Sequence, residues 1–435
     1  MNSPLSRRSF LKTTALATAG VAALSHRAFA QSQGANDKIV LGLIGAGGMG
    51  RANARECLNL PGVEIGAVCD VDEAHVEKGV ADALKNQART PKTYKDFRAL
   101  LDQKDIDAVI IGTPDHWHAI PFIAACEAGK DIYCEKPISH SFVEAKAMAA
   151  AAKRFQRVVQ VGTWQRSVPH FQQAIDFVRS GKIGKIQICR AWATHALNPL
   201  GHQQPQPAPA GLDWNFWLGP APVRGFQPNR CHNSWRWFFE TGGGKLADWG
   251  VHMIDIVLLG MNESDPSTVH SEGGFFSTDD DRTTPDTMQT LFRFPKWQLL
   301  WEQRQGNTRG LDGGKDHGSE FIGDKGTLIV DRSAVRWLPE NQDDGDFGPG
   351  ETVRGENTHW QNFLDCVKTR ATPRSDIESM AKTTMLCHLG NISWQSKSTV
   401  EWDAKAQDIA NRAARHAISY ERPYRKPWKL KMYKA

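Results

Sequence analysis

Short apolar runs alternate with helical segments through the first part of the chain. Runs of strand length occupy residues 39–44, 63–70, 107–112, 131–134 and 158–162, and glycine or an acidic residue ends or follows each run. Runs that are apolar at nearly every position are typical of strands covered on both faces, as in parallel sheets. Because helical stretches separate the runs, the pattern predicts a doubly wound parallel sheet in an α/β domain.

The pattern changes after residue 163, where strand-like segments follow one another with few helices between them. These segments lie at 183–194, 267–277, 287–303, 318–323 and 327–331, with irregular loops at 196–212 and 342–355. Gly323 and Gly326 bound a turn that favours a hairpin between the last two segments. Consecutive strands predict a large, mostly antiparallel sheet with helices on one face. We therefore expect two domains, at 37–162 and 163–435.

A glycine-rich turn follows the first strand. Gly45, Gly47 and Gly50 have the G-x-G-x-x-G spacing that joins a strand to a helix in dinucleotide-binding domains. Gly45 would permit the tight turn, Gly47 the approach of a pyrophosphate, and Gly50 close packing of helix on strand. The N–H groups at the start of the helix would hold the phosphates. This motif alone also occurs in ordinary strand-to-helix turns.

Asp70 ends the second strand, twenty residues after Gly50. A carboxylate at this spacing can accept hydrogen bonds from the ribose hydroxyls of adenosine, which strengthens the dinucleotide interpretation. A 2′-phosphate would be repelled by the same carboxylate, so Asp70 favours NAD over NADP without excluding NADP. The alternative is an acid that is merely solvated at the end of a strand.

Residues 1–30 have the composition of a twin-arginine export signal. Arg7 and Arg8 precede a weakly apolar run, and Ala28-Phe29-Ala30 matches an A-x-A cleavage site. We expect the twin-arginine export machinery to recognise this segment and the mature protein to be periplasmic or otherwise exported. No later stretch reaches the roughly 18 apolar residues that a membrane span requires, so none is expected in the mature form.

Charge and cysteine content exclude several classes of protein. The export signal holds four positive residues and no acid, so the formal net charge of +5 falls to +1 without it. Such a charge, with no basic cluster before the terminal residues 422–434, gives no reason to expect nucleic-acid binding. The eight cysteines show no C-x-x-C pair and no zinc-ligand spacing, and buried inert thiols are expected. We expect no metal site.

Two further segments carry candidate chemistry. Lys136, in Glu135-Lys136-Pro137, follows a strand on the nicotinamide side of the predicted nucleotide site, where a lysine can bind a substrate hydroxyl and accept its proton. In the segment 242–255, Asp248, His252 and Asp255 would share one face of a helix. The carboxylate of Asp248 could then orient the imidazole of His252 for proton exchange, while Asp255 is expected to be structural. A satisfied His–Asp pair without catalytic function is the alternative.

Together these motifs resemble the Gfo/Idh/MocA family of oxidoreductases, named after glucose-fructose oxidoreductase, inositol dehydrogenase and a rhizopine-catabolism protein. The resemblance rests on the glycine turn, Thr113-Pro114, Glu135-Lys136-Pro137 and Asp248-x-x-x-His252, and spans nearly the whole mature chain. It implies an N-terminal Rossmann domain and a C-terminal α/β domain with an open-faced sheet that often mediates oligomers. The segment 213–222 is similar to an exported branch of the family. Asp115 is a departure, because many members have Asn after Thr-Pro; an acid there favours neutral sugars as substrates.

The resemblance also implies roles for individual residues. It makes Lys136, Asp248 and His252 the catalytic set for oxidising a hydroxyl of a sugar, glycoside or cyclitol. Contacts with NAD are expected from Gly45, Gly47, Gly48, Met49, Gly50, Asp70, Thr113, Pro114, His118, Glu135 and Lys136. Contacts with substrate are expected from Trp164, Arg166, Arg236, Asp248 and His252, since tryptophan rings stack on sugars and arginine binds hydroxyl or carboxylate groups.

Three functions remain open at this stage. The first is an NAD(P)-dependent dehydrogenase acting on a carbohydrate, with a tightly bound cofactor. The second follows from export, because a cofactor carried out of the cytoplasm must be regenerated on the enzyme: transient oxidation of a glycoside could ease elimination of its aglycone, giving a redox-neutral glycosidase or lyase. The third is a sugar-binding relative without catalytic activity, which the presence of Lys136, Asp248 and His252 disfavours.

Overall fold

The computed structural model describes residues 38–310, 314–341 and 358–434. The predicted export signal at 1–30 and the predicted loop at 342–355 both lie outside these residues. No helix in the described ranges is long and apolar enough to cross a membrane.

The N-terminal half is built on the predicted parallel sheet. Its six strands stand in the order β3-β2-β1-β4-β5-β6, and every neighbouring pair for which a register is recorded is parallel. The strands are β1 (Ile39–Ile44), β2 (Val63–Cys69), β3 (Lys92–Tyr94), β4 (Ala108–Ile111), β5 (Asp131–Cys134) and β6 (Val159–Val161). Strands β4, β5 and β6 are buried at every position, as their apolar sequences predict.

Helices connect these strands, and local capping signals determine where several of them begin. They are α1 (Gly48–Leu58), α2 (Glu73–Leu84), α3 (Phe97–Leu101), α4 (Asp115–Glu127) and α5 (Phe142–Phe155). Asp72 and Asp96 cap α2 and α3 by accepting main-chain N–H groups. Ser141 and Glu144 form a reciprocal capping box that starts α5. Helix α1 lacks a side-chain cap because its N-cap residue is Gly47.

The C-terminal half contains a nine-stranded sheet in the order β13-β12-β11-β7-β10-β9-β8-β14-β15. All of its recorded strand pairs are antiparallel except β7 with β10. The strands are β7 (Ile186–His195), β8 (Thr268–Gly274), β9 (Thr287–Arg293), β10 (Gln298–Gln305), β11 (His317–Gly323), β12 (Gly326–Val330), β13 (Val335–Pro339), β14 (Val400–Asp403) and β15 (Asp408–Ile409). The predicted strand at 287–303 is two strands, β9 and β10, that pair antiparallel. The predicted hairpin is confirmed, with Gly323 paired to Gly326.

Helices cover one face of this sheet. The helices of this half are α6 (Pro169–Arg179), α7 (Trp214–Leu218), α8 (Val251–Met261), α9 (Thr358–Thr369) and α10 (Ile377–Ser396), of which α6, α8 and α10 lie against the sheet. A π-helical turn at Leu246–Gly250 leads directly into α8. Helices α6, α8 and α10 contact strands β12, β11 and β8 respectively. Side chains on the other face, including Ile188 and Leu291, remain exposed. The alternation of buried and exposed residues along β9 and β10 records this one-sided burial.

The basic C-terminal residues pack against the N-terminal half. Arg422, almost wholly buried, donates to Glu144 at 2.8 Å, and Lys431 pairs with Glu127. These contacts tie the basic C-terminal residues to helices α4 and α5 of the N-terminal half. The eight cysteines are all free, and seven of them are buried, as the sequence predicts.

Candidate active site

A cavity of about 720 Å³ opens at the carboxyl ends of β1, β2, β4 and β5. Residues from the C-terminal half complete its walls, chiefly from 216–252 and from Arg332 in the turn between β12 and β13. The carboxyl ends of parallel strands are where doubly wound sheets bind ligands. The volume lies within the range of pockets that hold a cofactor or substrate.

The glycine turn at one end of the cavity leaves no room for side chains. Gly45 has a φ of +87°, and a Cβ there would lie 2.6 Å from the main-chain nitrogen of Thr113. A Cβ on Gly50 would lie 1.9 Å from the carbonyl oxygen of Gly45, so helix and strand pack backbone to backbone. Gly47 and Gly48 line the cavity at the uncapped start of α1, where free N–H groups can bind phosphate. Met49 lines the cavity beside them.

Asp70 lies at the same end of the cavity, where the sequence places it. Its carboxylate accepts main-chain N–H groups from Ala46 at 2.7 Å and Asp72 at 3.0 Å, and its side chain is only 10% exposed. These bonds hold the carboxylate at the edge of the glycine turn. His75 lies 3.4 Å away, and the hydrogen bond to Asp70 raises the pKa of this histidine.

A wall that the sequence did not reveal covers this end of the cavity. Residues 211–213 pair with the chain around Asp72, through Glu73 N–H to Gly211 O at 3.1 Å and Asp213 N–H to Val71 O at 3.0 Å. Behind this contact, buried apolar side chains form a separate cluster: Leu212, Trp217, Leu218, Phe226 and Trp235. Sequence patterning predicted only an irregular loop at 196–212, because the segment that its end pairs with, around Asp72, is distant in the chain.

His232 reaches across from this wall. Its Nε2 lies 2.7 Å from the carboxylate of Asp72, and its ring centroid lies 4.3 Å from that of His75. Asp72, His75 and His232 thus bring three potential metal-ligand atoms within 4.8 Å of one another. Each histidine already has a carboxylate partner, and burial and the neighbouring His75 lower the pKa of His232, so a hydrogen bond between the wall and the start of α2 explains the geometry.

Lys136 lies at the opposite end of the cavity and contacts the C-terminal half. Its Nζ donates to the carboxylate of Asp248 at 2.7 Å and to the main-chain carbonyl of Asp248 at 3.0 Å. Arg236 Nε lies 3.3 Å from the same carboxylate oxygen. These two cations hold the pKa of Asp248 below its ordinary value despite the burial that opposes ionisation. A residue after β5 and a residue 112 positions later therefore form one charged centre.

The surroundings of His252 differ from the prediction. Asp248 lies in the π-helical turn and His252 in α8, so the two residues do not share a regular α-helical face. The carboxylate of Asp248 is bonded to Lys136 and Arg236, whereas the buried Nδ1 of His252 has no hydrogen-bond partner. Burial and the nearby positive charges of Lys136 and Arg332 place the pKa of His252 well below its ordinary value. Asp248 orients Lys136, and His252 is a neutral imidazole in the cavity wall.

Two aromatic rings and an arginine form another part of this end. Trp164, predicted as a substrate residue, and Trp249 both line the cavity. The guanidinium of Arg332 lies 5.0 Å from the ring centre of Trp164 and 4.6 Å from that of Trp249. Sequence reasoning missed Trp249 and Arg332: the first had only its position beside Asp248 as a signal, and the second stands in a hairpin turn with no motif.

The predicted roles of Arg166 and His118 are not supported by their positions. Arg166 is 3% exposed and forms a two-fold ion pair with Asp255, at 2.6 and 2.7 Å, so it is occupied within the core instead of facing substrate. His118 is also buried, with its two ring nitrogens 2.7 and 2.9 Å from the carbonyl oxygens of Pro137 and Thr113. Neither residue lines the cavity. The structural role predicted for Asp255 agrees with this pairing.

Two acids line the cavity between its ends, and both are removed from water. Glu135 is 6% exposed and accepts from Asn53 at 2.7 Å, and Asp115 is 2% exposed. Burial raises the pKa of each carboxyl group above its ordinary value. Thr113, Pro114, Asp115 and Glu135 all line the cavity, whereas His116, like His118, does not.

The residues present fit a dinucleotide. An uncapped helix start faces the cavity where a pyrophosphate would need donors, and the glycine turn has no Cβ atoms to obstruct it. A carboxylate held by main-chain donors stands where a ribose would need an acceptor. Farther along the cavity wall, the unpartnered polar atoms of Asp115 and His252 are the kind that a bound ligand would satisfy.

Curated proteins with similar sequences include three bacterial proteins. The uncharacterized oxidoreductase YrbE of Bacillus subtilis is 27% identical over 298 residues, which is 68% of this chain and 74% of that protein. The rhizopine catabolism protein MocA of Rhizobium meliloti is 29% identical over 60% of this chain and 74% of that protein. A glycosyl hydrolase family 109 protein of Shewanella putrefaciens is 30% identical over a shorter match, covering 44% of this chain and 46% of that protein.

Solved structures share the fold. The WlbA dehydrogenase of Bordetella pertussis, in complex with NADH and UDP-GlcNAcA, superposes with a TM-score of 0.65 at 15% identity, covering 84% of this chain and 99% of that one. Levoglucosan dehydrogenase, in complex with NADH and levoglucosan, gives a TM-score of 0.63 at 20% identity with the same coverage.

Family models match most of the described chain. A model described as an oxidoreductase family with an NAD-binding Rossmann fold matches residues 39–163, and a model of the C-terminal alpha/beta domain of the same family matches residues 191–430. The two matched regions correspond to the six-stranded and nine-stranded sheets, and the cavity between them carries the glycine turn, Lys136 and Asp248. The chain therefore belongs to the Gfo/Idh/MocA family of NAD-binding oxidoreductases.

Proposed function

We propose that this NAD-dependent oxidoreductase removes hydride from a hydroxyl-bearing carbon of a sugar, glycoside or cyclitol. The observation that carries the proposal is the contact of Lys136 with Asp248 at 2.7 Å, in the wall of a cavity that also has a dinucleotide-binding turn. When bound, NAD accepts the hydride. The chain's own residues must bind the hydroxyl group, orient it and take its proton.

Lys136 is placed to bind the hydroxyl group. Its ammonium has three N–H donors, and the two bonds to Asp248 use two of them, which leaves the third for a substrate oxygen. The charge on the ammonium also stabilises the oxygen as it loses its proton. Arg236 and Lys136 both contact Asp248, so the carboxylate determines where the ammonium lies.

His252 is the group best suited to accept the proton. A general base must be unprotonated and within reach of the reacting group. The pKa of His252 lies well below its ordinary value because of burial and of the Lys136 and Arg332 charges, so the imidazole is neutral at neutral pH. The residue lines the cavity, and no protein group is hydrogen-bonded to its Nδ1. In this assignment His252 accepts the proton and Lys136 binds the hydroxyl group.

The substrate class follows from the walls of the same end. Trp164 and Trp249 supply aromatic surface of the kind that packs on the C–H faces of sugar rings, and Arg236 and Arg332 supply donors. Levoglucosan dehydrogenase shares the fold. A panel of sugars, glycosides and cyclitols assayed for NADH formation tests the proposal, and absence of turnover across the panel with NAD bound would reject it.

A second candidate function is redox-neutral cleavage of a glycoside. The match to glycosyl hydrolase family 109 proteins favours it, and so does the wall at 211–236, which would retain a nucleotide between turnovers. Product analysis without added NAD separates the two functions. Release of the aglycone indicates the redox-neutral cycle, whereas a ketosugar with stoichiometric NADH indicates a dehydrogenase.

Export and oligomerisation complete the proposal. The twin-arginine pattern at 1–30 supports passage of the folded protein, with its cofactor, out of the cytoplasm. Denaturing the exported protein and identifying the released nucleotide by mass tests this point, because a stoichiometric nucleotide is expected. The uncovered face of the nine-stranded sheet, with Ile188 and Leu291 exposed, supports a homo-oligomer, which light scattering can test.

A further inference from the structure

Asp115 is a buried carboxyl group in the cavity wall to which the roles above assign nothing. It is the first residue of α4, immediately after the Thr113-Pro114 turn that follows β4. Only 2% of it is exposed, and its Oδ1 has no hydrogen-bond partner. Buried polar atoms are nearly always hydrogen-bonded, so an unpartnered oxygen in a cavity wall is evidence for a ligand that bonds to it.

The charge state of Asp115 follows from its neighbours. Burial raises the pKa of its carboxyl group well above the ordinary value; Asp248 and Glu144 act in the same direction, and Arg236 and Lys136 oppose it. Asp248 is itself bonded to both of those cations, which weakens their effect on Asp115. Burial without a hydrogen-bond partner therefore favours the uncharged carboxylic acid, which has one O–H donor and one carbonyl acceptor.

A primary carboxamide is the chemical complement of an uncharged acid. It has an N–H donor and a carbonyl acceptor on one edge, so the two groups can form a pair of hydrogen bonds. In the proposed NAD site, α1 faces the pyrophosphate and Asp70 the adenosine ribose. Neither of them serves the nicotinamide carboxamide, whereas Asp115 lines the same cavity as Lys136.

We propose that Asp115 recognises the carboxamide of the nicotinamide ring by donating one hydrogen bond to it and accepting another. The proposal rests on the NAD site of the proposed function and adds a residue that holds the reacting ring beside Lys136. An asparagine side chain at this position would have the same donor and acceptor without charge. The acid here is thus equivalent to an amide, and it gives no reason to prefer neutral sugars as substrates.

A ligand-by-mutation cycle tests the contact. Dissociation constants are measured by tryptophan fluorescence on nucleotide-depleted protein, for NAD and for 3-acetylpyridine adenine dinucleotide, in which a methyl group replaces the amide nitrogen. The variants are Asp115→Ala, which removes both hydrogen bonds, and Asp115→Asn, which preserves them. Circular dichroism confirms that each variant is folded.

The expected pattern is a preference that depends on residue 115. The wild-type protein should bind NAD at least about fivefold more tightly than the analogue, as one hydrogen bond predicts. Asp115→Ala should weaken NAD binding by about tenfold and bind the two dinucleotides equally, while Asp115→Asn should keep the preference. If Asp115→Ala keeps the full preference, or if Asp115→Asn loses NAD binding as severely as Asp115→Ala, the inference is wrong. Failure of the wild-type protein to bind either dinucleotide would instead contradict the proposed function.

Discussion

The two ends of the cavity are built in different ways. At the glycine-turn end, the groups expected to bind the nucleotide lie close together in the chain, from Gly45 to Asp70, and main-chain hydrogen bonds hold them. The Lys136 end is assembled from segments far apart in the sequence, around Asp248, Trp164 and Arg332, and charged side chains hold it together. The first end depends on backbone geometry, and the second depends on the packing of one sheet domain against the other.

This difference separates cofactor binding from substrate choice. A site made of backbone N–H groups and glycine turns tolerates little change, because Gly45 and Gly50 have no space for a Cβ. A site made of side chains from separate segments can change its substrate without disturbing the nucleotide. We therefore expect substitutions at the Lys136 end to affect turnover most, and substitutions at the Asp70 end to affect nucleotide affinity most.

Replacing Lys136 by Met should have the largest effect on turnover. The ammonium that binds the substrate hydroxyl is lost and Asp248 keeps only Arg236, so kcat should fall by about 10²–10⁴. NAD binding, measured by fluorescence, should change by less than about tenfold. Lys146→Met is the matched control, because Lys146 does not line the cavity and should keep wild-type kcat. A Lys136→Met enzyme with full activity would remove Lys136 from the mechanism.

Replacing Asp70 by Ser should alter the nucleotide end instead. Loss of the carboxylate removes the acceptor for the ribose hydroxyls, so the affinity for NAD should fall by about tenfold. It also removes the repulsion of a 2′-phosphate, so the affinity for NADP should rise relative to that for NAD. Calorimetric titration with both dinucleotides measures the change. If kcat at saturating NAD falls as far in Asp70→Ser as in Lys136→Met, the two ends do not have separate roles in nucleotide affinity and turnover.

The nucleotide half of the molecule was largely predictable because its signals are local. Apolar runs predicted five of the six strands of the parallel sheet. The spacing of Gly45, Gly47, Gly50 and Asp70 predicted the nucleotide end of the cavity. Each of these signals depends on the conformation of a few consecutive residues. The family resemblance added Lys136, Asp248 and His252, and all three line the cavity.

The remaining parts depend on contacts between distant segments, which single-sequence patterns do not encode. An i, i+4 helical spacing paired Asp248 with His252, but the π-helical turn and the approach of Lys136 give the carboxylate a different partner. Arg166 looked available for substrate because its partner, Asp255, lies 89 residues later. The wall around His232 could not be predicted either, because its contacts are with residues far away in the sequence.

The two ends should also respond differently to acid, and His252 provides the larger effect. Its pKa is lowered in the folded state, so below about pH 6.5 only the unfolded chain binds the proton and stability falls as pH falls. One such histidine contributes a slope of about 1.4 kcal/mol per pH unit. Urea unfolding at pH 7 and pH 5 should therefore show a loss of stability that is about 2 kcal/mol smaller in His252→Gln than in the wild-type protein. An unchanged loss would mean that His252 is charged in the fold.

His75, at the nucleotide end, should show the smallest effect and the opposite sign. The hydrogen bond to Asp70 raises its pKa, so the charged imidazole stabilises the fold below about pH 6.5, and this contribution disappears as pH rises through the raised value. Because the pair is partly exposed, the contribution should stay under about 1 kcal/mol. In urea unfolding, His75→Gln should lower stability at pH 5.5 and leave it unchanged at pH 9. A loss of equal size at both pH values would show that His75 stabilises the fold by packing against His232 and not by its charge. The two ends of the cavity would then differ in their contacts but not in the sign of their response to acid.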